Sequence, residues 1–236
     1  MEIKPKINEI VKKSSEYMPG KKEIFRAGIS AIPFVGGSLD HLLFDKSESI
    51  RLEHLEKAFD AMSEAISDIK EEYIQKDWFE SDEALAAIKI LIDKIGYEPD
   101  TEKIKTIGKV VATFGLKNYC NDQLKLNILS RICDLTKNQI ELLKIISNTN
   151  QRKRTINNGG LTVTASAIWA TDILNTILKN HTCHVKTYIV DVEILASYNV
   201  IRRLNLPISD QEGGGYLMTE TGKKAIVYLS ETENKK

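Results

Sequence analysis

Apolar residues between positions 52 and 73 recur at alternating intervals of three and four, and charged residues fill many of the positions between them. This spacing places the apolar side chains on one stripe of an α-helix. It predicts a helix from Lys46 to about Gln75, whose first turn Ser47 or Ser49 can cap. The stripe consists of Leu52, Leu55, Phe59, Met62, Ile66, Ile69 and Tyr73.

Four shorter segments with a similar helical spacing follow, the last of them reaching Ile146. Their predicted first residues or caps are Ser81, Asp100, Asn121, and Thr136 or Asn138. Gly96 is expected to stop the first of these helices in the left-handed conformation, and Gly115 to end the second. Short connections between the helices predict an antiparallel bundle. The stripe at 52–73 could instead form a coiled-coil dimer seam, but about three heptads are marginal for one, so the bundle is favoured.

The next part of the chain changes character. Residues 148–160 are polar apart from Ile156, which predicts an exposed loop. Residues 165–180 have helical spacing, and the β-branched and aromatic residues at 185–190 predict a short strand. Asp191 is then expected to cap a short helix that stops at Asn199, because asparagine tolerates the left-handed conformation.

A glycine-rich segment near the C-terminus lies between two apolar runs. Residues 200–206 and 216–218 predict the two strands of a β-hairpin, and "ISDQEGGG" at 208–215 its tip. Thr219 is expected to cap a final helix. Gly222, in the first turn of that helix, permits the helix to pack closely on the hairpin.

These features resemble the end of many prokaryotic winged-helix domains, in which Leu-Gly-Leu-Ile is followed by Tyr-x-Leu-Thr-x-x-Gly. The matching residues are Asn199, Val200, Ile201, Tyr216, Leu217, Thr219 and Gly222. Thr219 departs from the pattern, since it lies two positions after Leu217 rather than next to it. The order of an apolar N-terminal segment, a helical bundle and this hairpin is similar to that of bacterial abortive-infection alpha type proteins. That similarity of arrangement implies a role in phage defence.

The predicted fold is therefore mainly α, with an N-terminal antiparallel helical bundle and a C-terminal winged-helix (α+β) domain. We place the bundle at residues 1–134 and the winged helix at 135–232, followed by a disordered tail at 233–236. The size of the chain, 236 residues, suits two small domains of this kind.

The charge pattern bears on whether such a winged helix binds DNA. The chain has 33 basic and 33 acidic residues, so no field from net charge attracts nucleic acid. The helix before the hairpin carries Asp191 and Glu193 without a basic residue, and carboxylates repel phosphates. Contact with a protein partner, or self-association, is therefore favoured over DNA. The alternative is a DNA-binding regulator that uses Arg152, Lys153, Arg154, Arg202, Arg203, Lys223 and Lys224.

The apolar segment at 27–39 has two interpretations. It is shorter than the roughly 20 residues of a membrane-spanning helix, and glycines and Pro33 interrupt it. Segments of this length are usually buried, so a role in closing the end of the bundle is favoured. The alternative is a membrane-active toxic effector that uses residues 27–44, with contacts from Ile29, Ile32, Phe34 and Val35.

Candidate chemistry is sparse. His181, Cys183 and His184 form the single His/Cys cluster of the sequence, but zinc needs further ligands that no spacing supplies. Neither a phosphate-binding loop nor a hydrolase signature is present. We therefore expect no enzyme activity, metal, cofactor or small-molecule substrate. Three cysteines and a polar start predict a cytoplasmic protein. The expected function is a non-enzymatic bacterial protein-interaction module in a phage-defence system.

Overall fold

The computed structural model describes residues 46–119, 121–158, 161–180, 187–206 and 214–231. This part of the chain is mostly helical and has a four-stranded antiparallel sheet on its C-terminal side. The chain divides into two compact units, of which the first comprises Met1–Asp134 with Tyr228–Lys236 and the second Leu135–Val227. The segments predicted at 27–44 and 233–236 lie outside the described residues.

The first unit is built from α-helices joined by short turns. Its helices are α1 (Lys46–Ser67), α2 (Asp82–Ile95), α3 (Thr101–Phe114) and α4 (Lys125–Asp134). The main packing joins α1 to α3 and α2 to α4. Gly108 of α3 permits the close approach to α1, because a Cβ there would clash with the carbonyl oxygen of Ala58. Ile66, Leu91, Ile104 and Ile107 are among the fully buried side chains.

Helix caps and stops in this unit follow local chemistry, although the predicted conformation of Gly96 is wrong. Ser81 and Asp100 cap α2 and α3 as predicted, accepting from the backbone N–H groups of Ala84 and Lys103 at 3.2 and 3.0 Å. Gly115 ends α3 as predicted. Gly96 is right-handed, with φ −56° and ψ −25°, instead of left-handed.

The long predicted helix is also shorter than expected. It ends at Ser67 instead of near Gln75, and two 3₁₀ turns follow at Glu71–Tyr73 and Lys76–Glu80. Backbone pairing explains the difference, because the Gln75 N–H donates to the Gly115 carbonyl at 2.8 Å and the Tyr73 carbonyl accepts from Lys117 at 2.9 Å. Similarly, α4 begins at Lys125 rather than Asn121, since residues before it form turns.

In its described residues, the second unit combines four helices with the sheet. Its elements are α5 (Lys137–Asn148), β1 (Arg152–Asn158), β2 (Leu161–Trp169), α6 (Ala170–Asn180), α7 (Tyr188–Ser197), β3 (Ile201–Arg203), β4 (Gly215–Met218) and α8 (Glu220–Glu231), whose last turn belongs to the first unit. The strands lie in the order β1-β2-β4-β3, and every neighbouring pair is antiparallel. The helix α5 begins with a reciprocal cap between Thr136 and Gln139, as Thr136 predicts.

The secondary structure predicted for three segments of this unit is wrong in whole or in part. The exposed loop predicted at 148–160 contains β1, which pairs with β2 over its whole length, from Arg152↔Ala167 to Asn158↔Leu161. The helix predicted at 165–180 begins only at Ala170, because the preceding residues belong to β2. The strand predicted at 185–190 is wrong for 188–190, which form the first turn of α7; 185 and 186 lie outside the described residues.

The predicted role of Asp191 as a helix cap fails for the same reason. Because α7 starts at Tyr188, Asp191 lies inside its first turn. Its carboxylate instead accepts a hydrogen bond from Nε2 of Gln139 on α5 at 3.0 Å. This residue therefore joins two helices of the unit.

The C-terminal hairpin is confirmed, although its first strand is shorter than the predicted 200–206 and its second begins at Gly215 instead of 216. Ile201 pairs with Met218 and Arg203 with Tyr216 in antiparallel register. Asn199 is left-handed, with φ 56°. Thr219 caps α8 by accepting from the Gly222 N–H at 3.0 Å. A Cβ at Gly222 would clash with the Val200 carbonyl oxygen, so glycine permits the predicted close packing. Residues 208–213 of the predicted tip lie outside the described residues.

Candidate functional site

The outward side of α7 carries two neighbouring aliphatic side chains that are largely exposed. Val192 and Leu195 are buried, at 2% and 0% exposure, and fix the orientation of the helix. On the outer side, Ile189 and Val190 are 59% and 60% exposed. We define the α7 face as Ile189, Val190, Glu193 and Ser197, which are all exposed. Adjacent large aliphatic side chains in water mark a surface suited to contact with another apolar surface.

Glu193 joins the α7 face to the hairpin. Its Oε1 accepts from the Tyr216 hydroxyl and from Nη1 of Arg203, both at 3.2 Å. Burial raises the pKa of Tyr216 to about 12, and the neighbouring Glu193 carboxylate adds to this effect. The Arg203 charge therefore lies against a carboxylate, and the sequence from Thr187 to Ser197 contains no Lys or Arg. The face is apolar and acidic.

The basic residues of β1 contact α6. Arg152 and Arg154 approach Asp172 at 3.5 and 3.2 Å, and the Asp172 side chain is 11% exposed. The Arg154 guanidinium also lies 4.9 Å from the centre of the Trp169 ring and donates to the Thr171 hydroxyl at 3.0 Å. Sequence reasoning missed Asp172, whose single carboxylate is shared between Arg152 and Arg154.

The seven predicted nucleic-acid-binding residues do not lie on one element. Arg152, Lys153 and Arg154 belong to β1, whereas Arg202 and Arg203 belong to β3. These are the opposite edges of the sheet, with β2 and β4 between them. Lys223 and Lys224 lie on α8, where Lys223 is 3.6 Å from Glu220. DNA binding by this set stays a prediction.

A polar cleft lies at the start of β1 and has a volume of about 390 Å³. Three parts of the second unit line it: the end of α5 with the two residues after it, the first residue of β1, and one side of α6. The lining residues are Asn148, Thr149, Asn150, Arg152, Asp172, Asn175, Thr176 and Lys179. Sequence reasoning missed this cleft, because its residues follow no motif and come together only when β1 pairs with β2.

The rejected metal candidate and the predicted membrane or partner contact both fall outside the part of the chain that the structure describes. His181, Cys183 and His184 are among these residues, as are Ile29, Ile32, Phe34 and Val35. Among the described residues, no group of His, Cys, Asp and Glu side chains could hold a metal ion. The described helices also include none with the length and apolar character that crossing a bilayer requires.

Comparisons with models of known protein families, with curated proteins and with solved structures found no match. No relative therefore assigns a function or a site to this chain. The contacts and charges of α7 and of the sheet are the basis for inference.

Proposed function

We propose that the unit Leu135–Val227 is a winged helix whose α7 face binds another protein, and that the chain is a non-enzymatic interaction module. The order α5, β2, α6, α7, β3, β4 supports a winged helix, with β4 paired to both β2 and β3. In this interpretation β3 and β4 form the wing, and β1 is an added strand. The left-handed Asn199 and the close approach at Gly222 support the resemblance seen in the sequence.

The composition of the α7 face is the observation that carries this proposal. A winged helix that reads DNA places the corresponding helix in the major groove, where Arg, Lys, Asn and Gln contact bases and phosphates. Here that helix presents Ile189, Val190 and Glu193. Burying an aliphatic side chain at an interface contributes about 1.5–3 kcal/mol, whereas a carboxylate beside phosphate is repelled. The face therefore suits a protein.

Co-purification from a bacterial host tests this function. We expect the tagged wild-type chain to bring down a stoichiometric partner, and Ile189→Asp to lose it, because a charge in an apolar contact is costly. Leu178→Asp is the matched control, since Leu178 is 48% exposed on α6 and lies outside the α7 face. A partner retained equally by both variants, or lost equally, would contradict the role of α7. Sedimentation of the purified chain identifies the case in which the partner is a second copy.

A titration with duplex DNA separates the proposal from the regulator alternative. Phosphate contacts make affinity fall steeply as the salt concentration rises. We expect no saturable binding with this salt dependence at near-physiological ionic strength. Saturable binding that Arg202→Ala and Lys223→Ala both weaken would instead support the regulator.

We also propose that the protein acts in the bacterial cytoplasm as part of a phage-defence system. The support is the similarity of arrangement to abortive-infection alpha type proteins. Plating phage on cells that express the chain tests it: wild type should reduce plaque numbers, and Ile189→Asp should restore them while Leu178→Asp does not. Equal plating on expressing and empty cells, across a varied set of phages, would contradict this setting.

A further inference from the structure

The outer edge of β1 is open within the described part of the chain. β1 has seven residues and pairs only with β2, because it is the first strand of the sheet. Outside that ladder, no described backbone-to-backbone hydrogen bond involves residues 152–158, and the Arg152 carbonyl accepts from Nε1 of Trp169 at 2.8 Å. An edge strand of this length without proline or glycine offers a row of N–H and C=O groups to a further strand.

The start of the same edge is basic. Arg152, Lys153 and Arg154 follow one another there, and Lys179 lines the cleft that begins beside Arg152. Among the residues that line the cleft, Asp172 is the single carboxylate, and Arg152 and Lys179 are the cations. Lys153 and Lys179 are both exposed.

The amides of the cleft add a second kind of recognition. Asn148, Asn150 and Asn175 line it together with the cations. An amide side chain can both donate to and accept from a peptide backbone. Hydrogen-bonding capacity and positive charge therefore coincide at one end of an open strand.

From these two observations we propose that β1 accepts an extended, acidic peptide segment of a partner protein as a fifth, antiparallel strand. The backbone groups of β1 would bind the peptide main chain. In the antiparallel direction, the C-terminal part of the peptide lies beside the start of β1. Asp or Glu residues there would lie beside Arg152, Arg154 and Lys179 on one face of the sheet and beside Lys153 on the other, because successive strand residues point to opposite faces. Opposite charges across strands are stabilising. This site lies on different residues from the α7 face and goes beyond the function proposed above.

Charge also distinguishes this occupant from a second copy of the chain. In an antiparallel pair of copies, the uncharged residues at 157 and 158 of the second β1 would lie beside the start of the first. Opposite charges across paired strands are stabilising, and a second copy offers none at this position. The basic start of β1 thus favours an acidic strand over self-pairing.

Fluorescence anisotropy with a synthetic peptide tests the proposal. The probe is a labelled peptide of alternating Val and Thr followed by Glu residues, and its control carries Gln in place of Glu. We expect Lys153→Glu and Lys179→Glu each to weaken binding by about tenfold or more, equivalent to about 1.4 kcal/mol. Arg202→Glu is the matched control, because Arg202 is exposed on the opposite edge strand, and it should leave affinity unchanged.

N-methylation of alternate peptide nitrogens, in each of the two possible registers, tests the strand pairing without altering the protein. At least one register should abolish binding, since the donors facing β1 are removed. Binding unaffected by either pattern would reduce the site to a simple ionic contact and overturn the proposal. Equal affinity for the Gln peptide would also overturn it. So would a dimer, seen by sedimentation, that Lys153→Glu makes more stable and that the peptide does not dissociate. Circular dichroism of each variant verifies the fold.

Discussion

The ion pair between Lys125 and Glu83 in the first unit gives a prediction whose size follows from burial. The Lys125 side chain is 0% exposed, and its Nζ lies 2.6 Å from Oε2 of Glu83. The ammonium group is also 5.1 Å from the centre of the Trp78 ring. The same Glu83 oxygen accepts from Nε1 of Trp78 at 2.7 Å. The Glu83 carboxylate thus pairs with the buried Lys125 ammonium group and accepts the hydrogen bond of the buried Trp78 indole N–H.

Removing the two partners of this pair should have unequal effects. Breaking a buried pair from one side costs about 3–5 kcal/mol because the other charge stays buried. Since 33% of the Glu83 side chain is exposed, water screens the pair, and we expect about 3 kcal/mol for Glu83→Ala. Lys125→Met removes the desolvated charge and leaves Glu83 bonded to Trp78 and to water. We expect it to cost about 1 kcal/mol or less.

Urea unfolding measures both values. Each unit has one tryptophan, Trp78 in the first and Trp169 in the second. A Trp169→Phe background therefore lets fluorescence report on the first unit. The double variant Glu83→Gln with Lys125→Met should recover part of the loss seen for Glu83→Ala. A larger cost for Lys125→Met than for Glu83→Ala would refute the reasoning.

Three further predictions concern the second unit, followed through Trp169 fluorescence in a Trp78→Phe background. Asn199→Ala should cost about 1–2 kcal/mol on urea unfolding because φ is 56°, whereas Asn199→Gly should be tolerated; equal effects would contradict the left-handed geometry. Gly222→Ala should lower the free energy of unfolding by about 1–3 kcal/mol or more, since its Cβ would clash with the carbonyl oxygen of Val200. A neutral effect would contradict that contact. The raised pKa of Tyr216 favours its neutral form in the folded state, so its contribution is intact below the unfolded value of about 10 and is lost as pH rises to about 12. Unfolding free energies between these pH values should fall less steeply for Tyr216→Phe than for wild type, and parallel curves would contradict the assignment.

Local chemistry explains which parts of the fold were predictable from the sequence. Ser81, Asp100, Thr136 and Thr219 cap helices through their own side chains, and the information for this lies within a few residues. Asn199 likewise ends a helix through its own backbone preference. The antiparallel pairing of 201–203 with 216–218 followed from two apolar runs around a glycine-rich segment.

The errors arose where distant residues decide the structure. β1 shows no apolar alternation, because Ile156 is its one strongly apolar residue. Backbone pairing with β2, rather than local sequence preference, makes it a strand. The β-branched residues Ile189 and Val190 favoured a strand, yet they lie on a helix anchored by the buried Val192 and Leu195. The cleft was unpredictable for the same reason, since its lining comes from three separate elements.

Site-specific photo-crosslinking tests the central claim, that the α7 face binds a protein, most directly. A photoreactive residue at position 190, which is 60% exposed, should form one defined protein adduct in living cells. The same residue at position 164, exposed on β2, should form none of that adduct. An adduct at 190 that disappears in Ile189→Asp is the predicted result. Crosslinks from 190 to nucleic acid alone, or the same adduct from both positions, would contradict the claim.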